Sequence, residues 1–463
     1  MDAPSPIYWS SFGVAASLVG DSALYVILPV VFQERGLTAM QVGVILSANR
    51  WTRLFTNGPA ARLLGTSPVR VVFATALLVG GFCSFLYCSR SIVVVVAARC
   101  LWGGCWSILR LTGMITVTDC IEAQLAPEST VGKLTGLFSG LARLGSAFGM
   151  AVGGALSDRI SFEGFFALAG LLTASASPFA LHCTFGSLPR VSVTASNKLA
   201  QTAGAPSTAG RCQLASCQLT RVQLQLVALA FAASCAGNGL IVSTLGAVLS
   251  SYSTADGRGE RVLAFGDGMQ IGTATLNGLL LGGRWALEGF GAPFIGRLVD
   301  RVGWTVVAPA AFGLSCVNGA VGFGLLQMAE GAGSEASGML LGVILLSLIV
   351  FFALVATADL CVKAMGVSWR ETTLLVQGDD LGSAVGPVLG YLLIHLGLPP
   401  SAVLAAQSLI HGGAALVAWS AARLHARVSR ASTQGRTTED ERGVVLHSTQ
   451  RLQHVALKDD DGV

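Results

Sequence analysis

The sequence predicts an all-α membrane protein in which twelve transmembrane helices form two six-helix bundles related by a parallel repeat. Three observations predict it. Hydrophobic residues fill 52% of the 463 positions and charged residues only 12%, with a mean hydropathy of +0.66, whereas soluble domains carry about 25% charged residues. Apolar stretches long enough to cross about 30 Å of hydrocarbon, which takes about 20 helical residues, succeed one another with short polar breaks. Three patterns of the first half then recur in the same order in the second. The 57 glycines suit such a bundle, because small residues let membrane helices approach closely.

The first six spans are expected at Ile7–Phe32, Ala39–Ala61, Val71–Cys88, Ser91–Thr118, Leu134–Leu156 and Gly164–Phe185. The first is too long for a signal-peptide core and has no basic residues before it, so it is expected to stay as a helix. Residues 1–185 thus make the first bundle and the polar stretch 186–223 a linker. The second bundle, 224–424, is expected as Leu224–Ser250, Val262–Ile295, Trp304–Met328, Gly338–Leu360, Leu374–Leu396 and Ser401–Leu424. The tail 425–463 mixes Arg430, Arg436 and Arg442 with Glu439, Asp440 and Glu441, and reads as disordered. Arg62, Arg70, Lys133, the linker cations, Arg297, Arg301, Lys363 and Arg370 fall on one side, against Arg35, Arg90, Arg159, Arg258 and Arg261 on the other. Excess Lys and Arg marks the cytoplasmic side of short loops, which puts both termini and the linker in the cytoplasm of a cell-membrane protein.

The repeat is read directly. Ala15-Ala16-Ser17 followed by Gly20-Asp21 in span 1 returns as Ala232-Ala233-Ser234 followed by Gly237-Asn238 in span 7. Arg50-Trp51 with Pro59 in span 2 returns as Arg284-Trp285 with Pro293 in span 8. Gly145, Gly149 and Gly153 in span 5 return as Gly382, Gly386 and Gly390 in span 11, where the two stretches share Leu-Gly-Ser-Ala. Parallel repeats of this kind rock about a site near the midplane in some secondary transporters.

Gly296-Arg297-Leu298-Val299-Asp300-Arg301-Val302-Gly303, after span 8, resembles the GxLxDRxG loop of the major facilitator superfamily. Arg99 with Gly103 resembles that superfamily's RxxxG element, and Gly145, Gly149, Gly153 and Gly154 its glycine-rich fifth helix. Leu46–Arg50 with Asn57, Trp102-Gly103 and Asp380-Leu381-Gly382 resemble a prokaryotic-type permease group within it. The resemblance implies a transporter fold in which helix 2 packs on helix 11 and helix 5 on helix 8. It also implies that the loop aspartate, here Asp300, latches the halves. The first-half loop departs from the pattern, with Arg62 or Thr66 where the aspartate belongs.

Charges at bilayer depth are costly unless paired or hydrated, so they are the candidate functional residues. Asp21 lies about 21 Å along its helix at 1.5 Å per residue. It either exchanges a proton in each cycle or sits in a permanent ion pair with Arg50 or Arg53. The implied helix pairing carries Arg50 or Arg53 towards Asp380, and Arg143 towards Arg284 and Glu288. These charges either make and break ion pairs during rocking or touch the solute. With Arg99, Arg110 and Arg143 the first half is positive, which favours an anionic or carbonyl-rich compound. Tyr25, Trp102, Trp106 and Trp285 either line the cavity or pack.

An enzyme is not expected: there is no HExxH, no phosphate-cradling GxxxxGK[ST], and no His pair at metal-ligand spacing. No metal, cofactor or nucleic acid is called for, and the cysteines read as packing residues without a CxxC pair. The function expected is secondary active, proton-coupled transport of a small organic solute by a monomer, with export as the direction expected. A facilitated-diffusion uniporter and a non-transporting receptor or scaffold with a transporter fold are the alternatives.

Overall fold

A computed structural model describes residues 4–122, 125, 131–182, 221–255, 261–265, 269–330, 334–365 and 369–426. The linker from 183 to 220 and the tail from 427 lie outside the described residues. Twelve long helices are present among the described residues. The first half contains α1 (Ser5–Val31), α2 (Ala39–Thr66), α3 (Val69–Leu86), α4 (Ile92–Glu122), α5 (Val131–Ser157) and α6 (Phe162–Ser175, continued after a break by Phe179–His182). The second contains α7 (Arg221–Ser251), α8 (Thr273–Val302), α9 (Trp304–Glu330), α10 (Ser334–Ala364), α11 (Trp369–His395) and α12 (Ser401–Ala426). The face carrying Ser5, Ala426 and the linker ends is here the terminal face, and the opposite one the outer face.

Hydropathy sorts the helices by position. Eight of them are apolar enough to cross a membrane on composition alone, and the four that are not are α2, α5, α8 and α11. These same four pack across the seam between bundles, α2 on α11 and α5 on α8. A helix shielded from lipid by the other bundle has no need of apolar residues all round. Helices α1 and α7 are the most enclosed, each with 78% of its most apolar window buried, whereas α6 and α9, at 39%, are peripheral.

Within the bundles, the glycine repeat sets the closest approach. Gly145, Gly149 and Gly153 of α5 lie against α1, and Gly382, Gly386 and Gly390 of α11 against α7. A Cβ at Gly149 would fall 2.5 Å from the Val19 carbonyl, and one at Gly386 2.5 Å from that of Cys235. Gly145 and Gly382 are held equally close to Ala15 and Phe231.

One expectation, about the start of α8, is corrected, and α7 carries a local irregularity. Val262–Phe265, expected at the start of a helix, is strand β2 (Arg261–Phe265), which pairs antiparallel with β1 (Thr254–Ala255) and β3 (Met269–Gly272). The apolar run is short, and Gly266-Asp267-Gly268 follows it, a hairpin signal. The fold is therefore helical with a small three-stranded sheet on its outer face, and α8 starts at Thr273. Helix α7 is π-helical over Cys235–Ile241, around Asn238, where the repeat aligns Asp21. Such bulges are frequent at functional sites.

Candidate functional site

Asp21 pairs with Arg99, across α1 and α4, rather than with Arg50 or Arg53. Arg99 is wholly buried, and its guanidinium is fully engaged: Nε donates to the Ile45 carbonyl at 3.2 Å, one terminal nitrogen serves Asp21 and the Tyr87 hydroxyl, and the other donates to the Tyr25 hydroxyl at 3.0 Å. The Tyr25 hydroxyl donates in turn to the Leu46 carbonyl at 2.9 Å. The Asp21 side chain keeps 12% of its surface. Asp21 is thus a carboxylate with some access, held by a cation that has none.

The seam carries two ion pairs at mid-helix. Arg53 on α2 lies 3.4 Å from Asp380 on α11, and Arg143 on α5 lies 2.8 Å from Glu288 on α8. Arg50, one turn from Arg53, makes no ion pair among the described residues. It sits 5.9 Å from the Tyr25 ring and in the field of Asp379 and Asp380. Arg110 on α4 acts on Asp379 and Arg53. Arg284 on α8 is buried and donates to the Asn238 side chain in the π segment, while its other terminal nitrogen has no partner. Its guanidinium lies 5.0 Å from the Trp285 ring, which Arg143 also approaches at 6.0 Å.

Three charged residues escape the sequence reading. Asp379 accepts a hydrogen bond from Ser234 on α7, and Asp359 on α10 takes one from Lys363 one turn later at 2.5 Å. Lys363 looks like a loop cation in the sequence, yet it lies in the last turn of α10. The i, i+4 spacing of Asp359 and Lys363 on one helix face is the signal that could have found them. Trp102 packs against Gly80 and is buried, so it does not line the seam. Trp106 and Trp285 each bury an indole N–H without a partner.

The loop motif forms the end of α8. Gly296 to Val302 complete the helix, Gly303 ends it at φ 88°, and Asp300 and Arg301 are exposed. Asp300 makes no ion pair among the described residues. In the first half, the Thr66 hydroxyl bonds back to its own helix at the Arg62 carbonyl, 3.1 Å away.

Across the seam, the outer half is closed. The Asp158 carboxylate, just after α5, accepts hydrogen bonds from the Thr275 amide (2.9 Å) and hydroxyl (2.5 Å) at the start of α8. Asn277 donates to the Val26 carbonyl at 3.0 Å, and Arg261 to Gln33 at 3.1 Å. A Cβ at Gly43 would meet Tyr391 at 2.9 Å, and one at Gly282 would meet the Ala147 carbonyl at 2.8 Å. Towards the terminal face, a Cβ at Gly58 or Gly65 on α2, Gly136 or Gly140 on α5, or Gly289 or Gly296 on α8 would meet nothing within 4 Å.

Comparison with known proteins places this geometry. The sequence profile described as the Major Facilitator Superfamily matches residues 10–378. No curated protein matches the sequence. Among solved structures, the nucleoside transporter NupG superimposes with a TM-score of 0.63 at 12% identity, covering 90% of this chain and 98% of that one. A D-xylose-proton symporter gives 0.64 at 12% identity, over 89% and 97%. A bacterial homolog of the human lysosomal transporter Spinster, inward-facing and occupied, also gives 0.64 at 12% identity, over 90% and 96%. At such identities the likeness is one of fold.

Proposed function

The chain belongs to the major facilitator superfamily, and from that premise we propose that it is a secondary active transporter carrying a small organic solute through the membrane by alternating access. The observation that carries this reading is the asymmetry of the seam. Its outer half is held at backbone distance and by hydrogen bonds, its middle by two ion pairs, and six glycines of α2, α5 and α8 towards the terminal face leave open space beside them. With both termini in the cytoplasm of a cell-membrane protein, as the distribution of Lys and Arg suggests, this is an inward-facing state. Arg53–Asp380 and Arg143–Glu288 then act as the pivot, and their exchange for water or solute accompanies rocking.

The coupling ion in this reading is the proton, and its site is Asp21. Arg99 cannot leave, being buried and multiply bonded, so a proton arriving at the partly open Asp21 carboxylate releases the Arg99–Asp21 tie without moving the cation. An inward-facing cavity loaded from the cytoplasm, with protons entering from outside, makes an exporter. The test is a proteoliposome assay in which a pH-sensitive dye inside the vesicles reports proton movement as solutes are added. Wild-type protein is expected to link solute and proton flux. Asp21→Asn is expected to abolish the proton signal, and retention of that signal at wild-type rate would overturn the coupling. Wild-type vesicles that pass none of a broad panel of solutes would overturn the transporter reading itself.

A further inference from the structure

The seam is short of negative charge. Once Arg99–Asp21, Arg53–Asp380, Arg143–Glu288 and Lys363–Asp359 are matched as pairs, three guanidiniums, Arg50, Arg110 and Arg284, remain at mid-helix among the described residues against one carboxylate, Asp379. Arg50, Asp379 and Arg284 sit on the seam helices α2, α11 and α8, and Arg110 on α4, which packs behind α2. Their fields overlap, since Lys363, Arg50 and Arg110 act on Asp379, while Arg284 feels Glu288 and Asp359 and, against them, Arg143 and Arg50. The excess is two positive charges. Arg284 is buried and has a terminal nitrogen with no partner, and beside it the Trp285 indole N–H is also buried and unpartnered. Two donors are therefore withdrawn from water next to surplus cationic charge, an arrangement that is costly unless an acceptor completes it.

Resting on the transporter reading above, we propose that the solute is a small organic dianion, bound with one anionic group on Arg284 and Trp285 and its second charge balancing Arg50 and Arg110. A guanidinium holds a carboxylate or a phosphate through paired charge-assisted hydrogen bonds, and both classes share the required charge. Arg50 and Arg110 belong to the first bundle and Arg284 to the second, so the dianion spans the seam. While the terminal face is open, water screens the excess charge. Closing that face removes the water, and only a carrier loaded with a dianion closes with its charge balanced. The empty carrier is therefore slow to turn over, and exchange of dianion for dianion is faster than net export.

The experiment uses the purified full-length chain at matched ionic strength and no gradient, with thermal unfolding and equilibrium binding as readouts. The probes are succinate (dicarboxylate), glycerol phosphate (phosphate ester), propionate (monoanion), glycerol (neutral) and choline (cation). At least one dianion is expected to raise Tm and bind, with succinate alone or glycerol phosphate alone identifying the source of the charge, while glycerol and choline have no effect and propionate binds more weakly. Arg284→Gln is expected to weaken dianion binding by about tenfold or more, which is about 1.4 kcal/mol. Arg284→Lys is expected to restore part of it, and Arg62→Gln, at an exposed position near the end of α2, to leave it unchanged. If Arg284→Gln fails to fold, Arg50→Gln makes the same test. Binding of neither dianion, equal stabilisation by choline or glycerol, or undiminished binding in a well-folded Arg284→Gln protein would overturn the proposal. Proton-linked flux of a cation or neutral solute would overturn it while leaving the transporter reading intact; dianion binding without flux of any solute would do the reverse.

Discussion

Arg99 has no exposed surface, and every arm of its guanidinium is engaged, so its charge depends on Asp21 for compensation. Breaking a buried pair from one side strands the other charge and costs about 3–5 kcal/mol. Asp21→Asn is accordingly expected to lower Tm markedly, whereas the double substitution Asp21→Asn with Arg99→Gln recovers part of the stability without restoring proton-linked flux; Tm of the purified proteins and dye-reported flux check the two halves of the prediction. The sequence marks Asp21 and Arg99 separately, one as a mid-membrane acid and the other through RxxxG, but not their union. Arg50 and Arg53 are nearer to Asp21 in sequence, and choosing among three arginines needs the azimuth of each helix, which apolar periodicity does not supply. Asp359 and Lys363 escape for a related reason: near a helix end, a charge at the seam and a charge in a loop have the same sequence neighbourhood. Asp379 is hidden beside its neighbour Asp380, since the sequence does not say which of two adjacent carboxylates faces which helix.

Helix α5 contains its own control for close packing. At Gly149 an added Cβ would strike the Val19 carbonyl, whereas at Gly140 it would meet nothing within 4 Å. Gly149→Val is expected to cost at least about 1–3 kcal/mol by overpacking and to reduce the yield of monodisperse protein in detergent, while Gly140→Val leaves both Tm and yield near wild type. The mirror substitution Gly386→Val should behave as Gly149→Val does, because the repeat places α11 on α7 as it places α5 on α1. The glycine spacing of α5 and α11 is plain in the sequence as a repeat, but the partners it packs on, α1 and α7, are not, because a glycine pattern marks a close approach without naming the helix that approaches. The sheet on the outer face is not legible either, because Val262-Leu263-Ala264-Phe265 is as apolar as the helix it precedes, and a four-residue apolar run does not distinguish a strand from a helical turn. The π segment of α7 is equally silent in composition, since it is fixed by packing of Asn238 and its neighbours against α8 and α11.

At the scale of the whole molecule, closure of the outer face responds to pH through Asp158, which lies beyond the end of α5. Burial against α8 pushes its carboxyl above the ordinary range, outweighing the hydrogen bonds from Thr275. The closed state therefore holds the proton more tightly than an open, water-exposed one. This contribution to closure is fully present below the ordinary aspartate value of about 3.9 and is lost as pH rises through the raised value. Hydrogen exchange at the start of α8, corrected for the intrinsic pH dependence of exchange, is expected to show stronger protection on acidification, and Asp158→Asn should flatten the profile. The division of helices into eight apolar ones and four charged ones has a consequence for how the chain is made. Helices α2 and α5 emerge from the ribosome long before α11 and α8 exist, and they carry Arg50 and Arg53 on α2 and Arg143 on α5, which the insertion machinery accepts only reluctantly. Until Asp380 and Glu288 are synthesised, Arg53 and Arg143 have no counter-ion across the seam. The first half is thus an incomplete passenger, and residues 1–185 produced alone are expected to be removed by membrane proteases. Produced together as two separate polypeptides, the halves are expected to rescue one another, with the surviving amount of each rising with the dose of its mate.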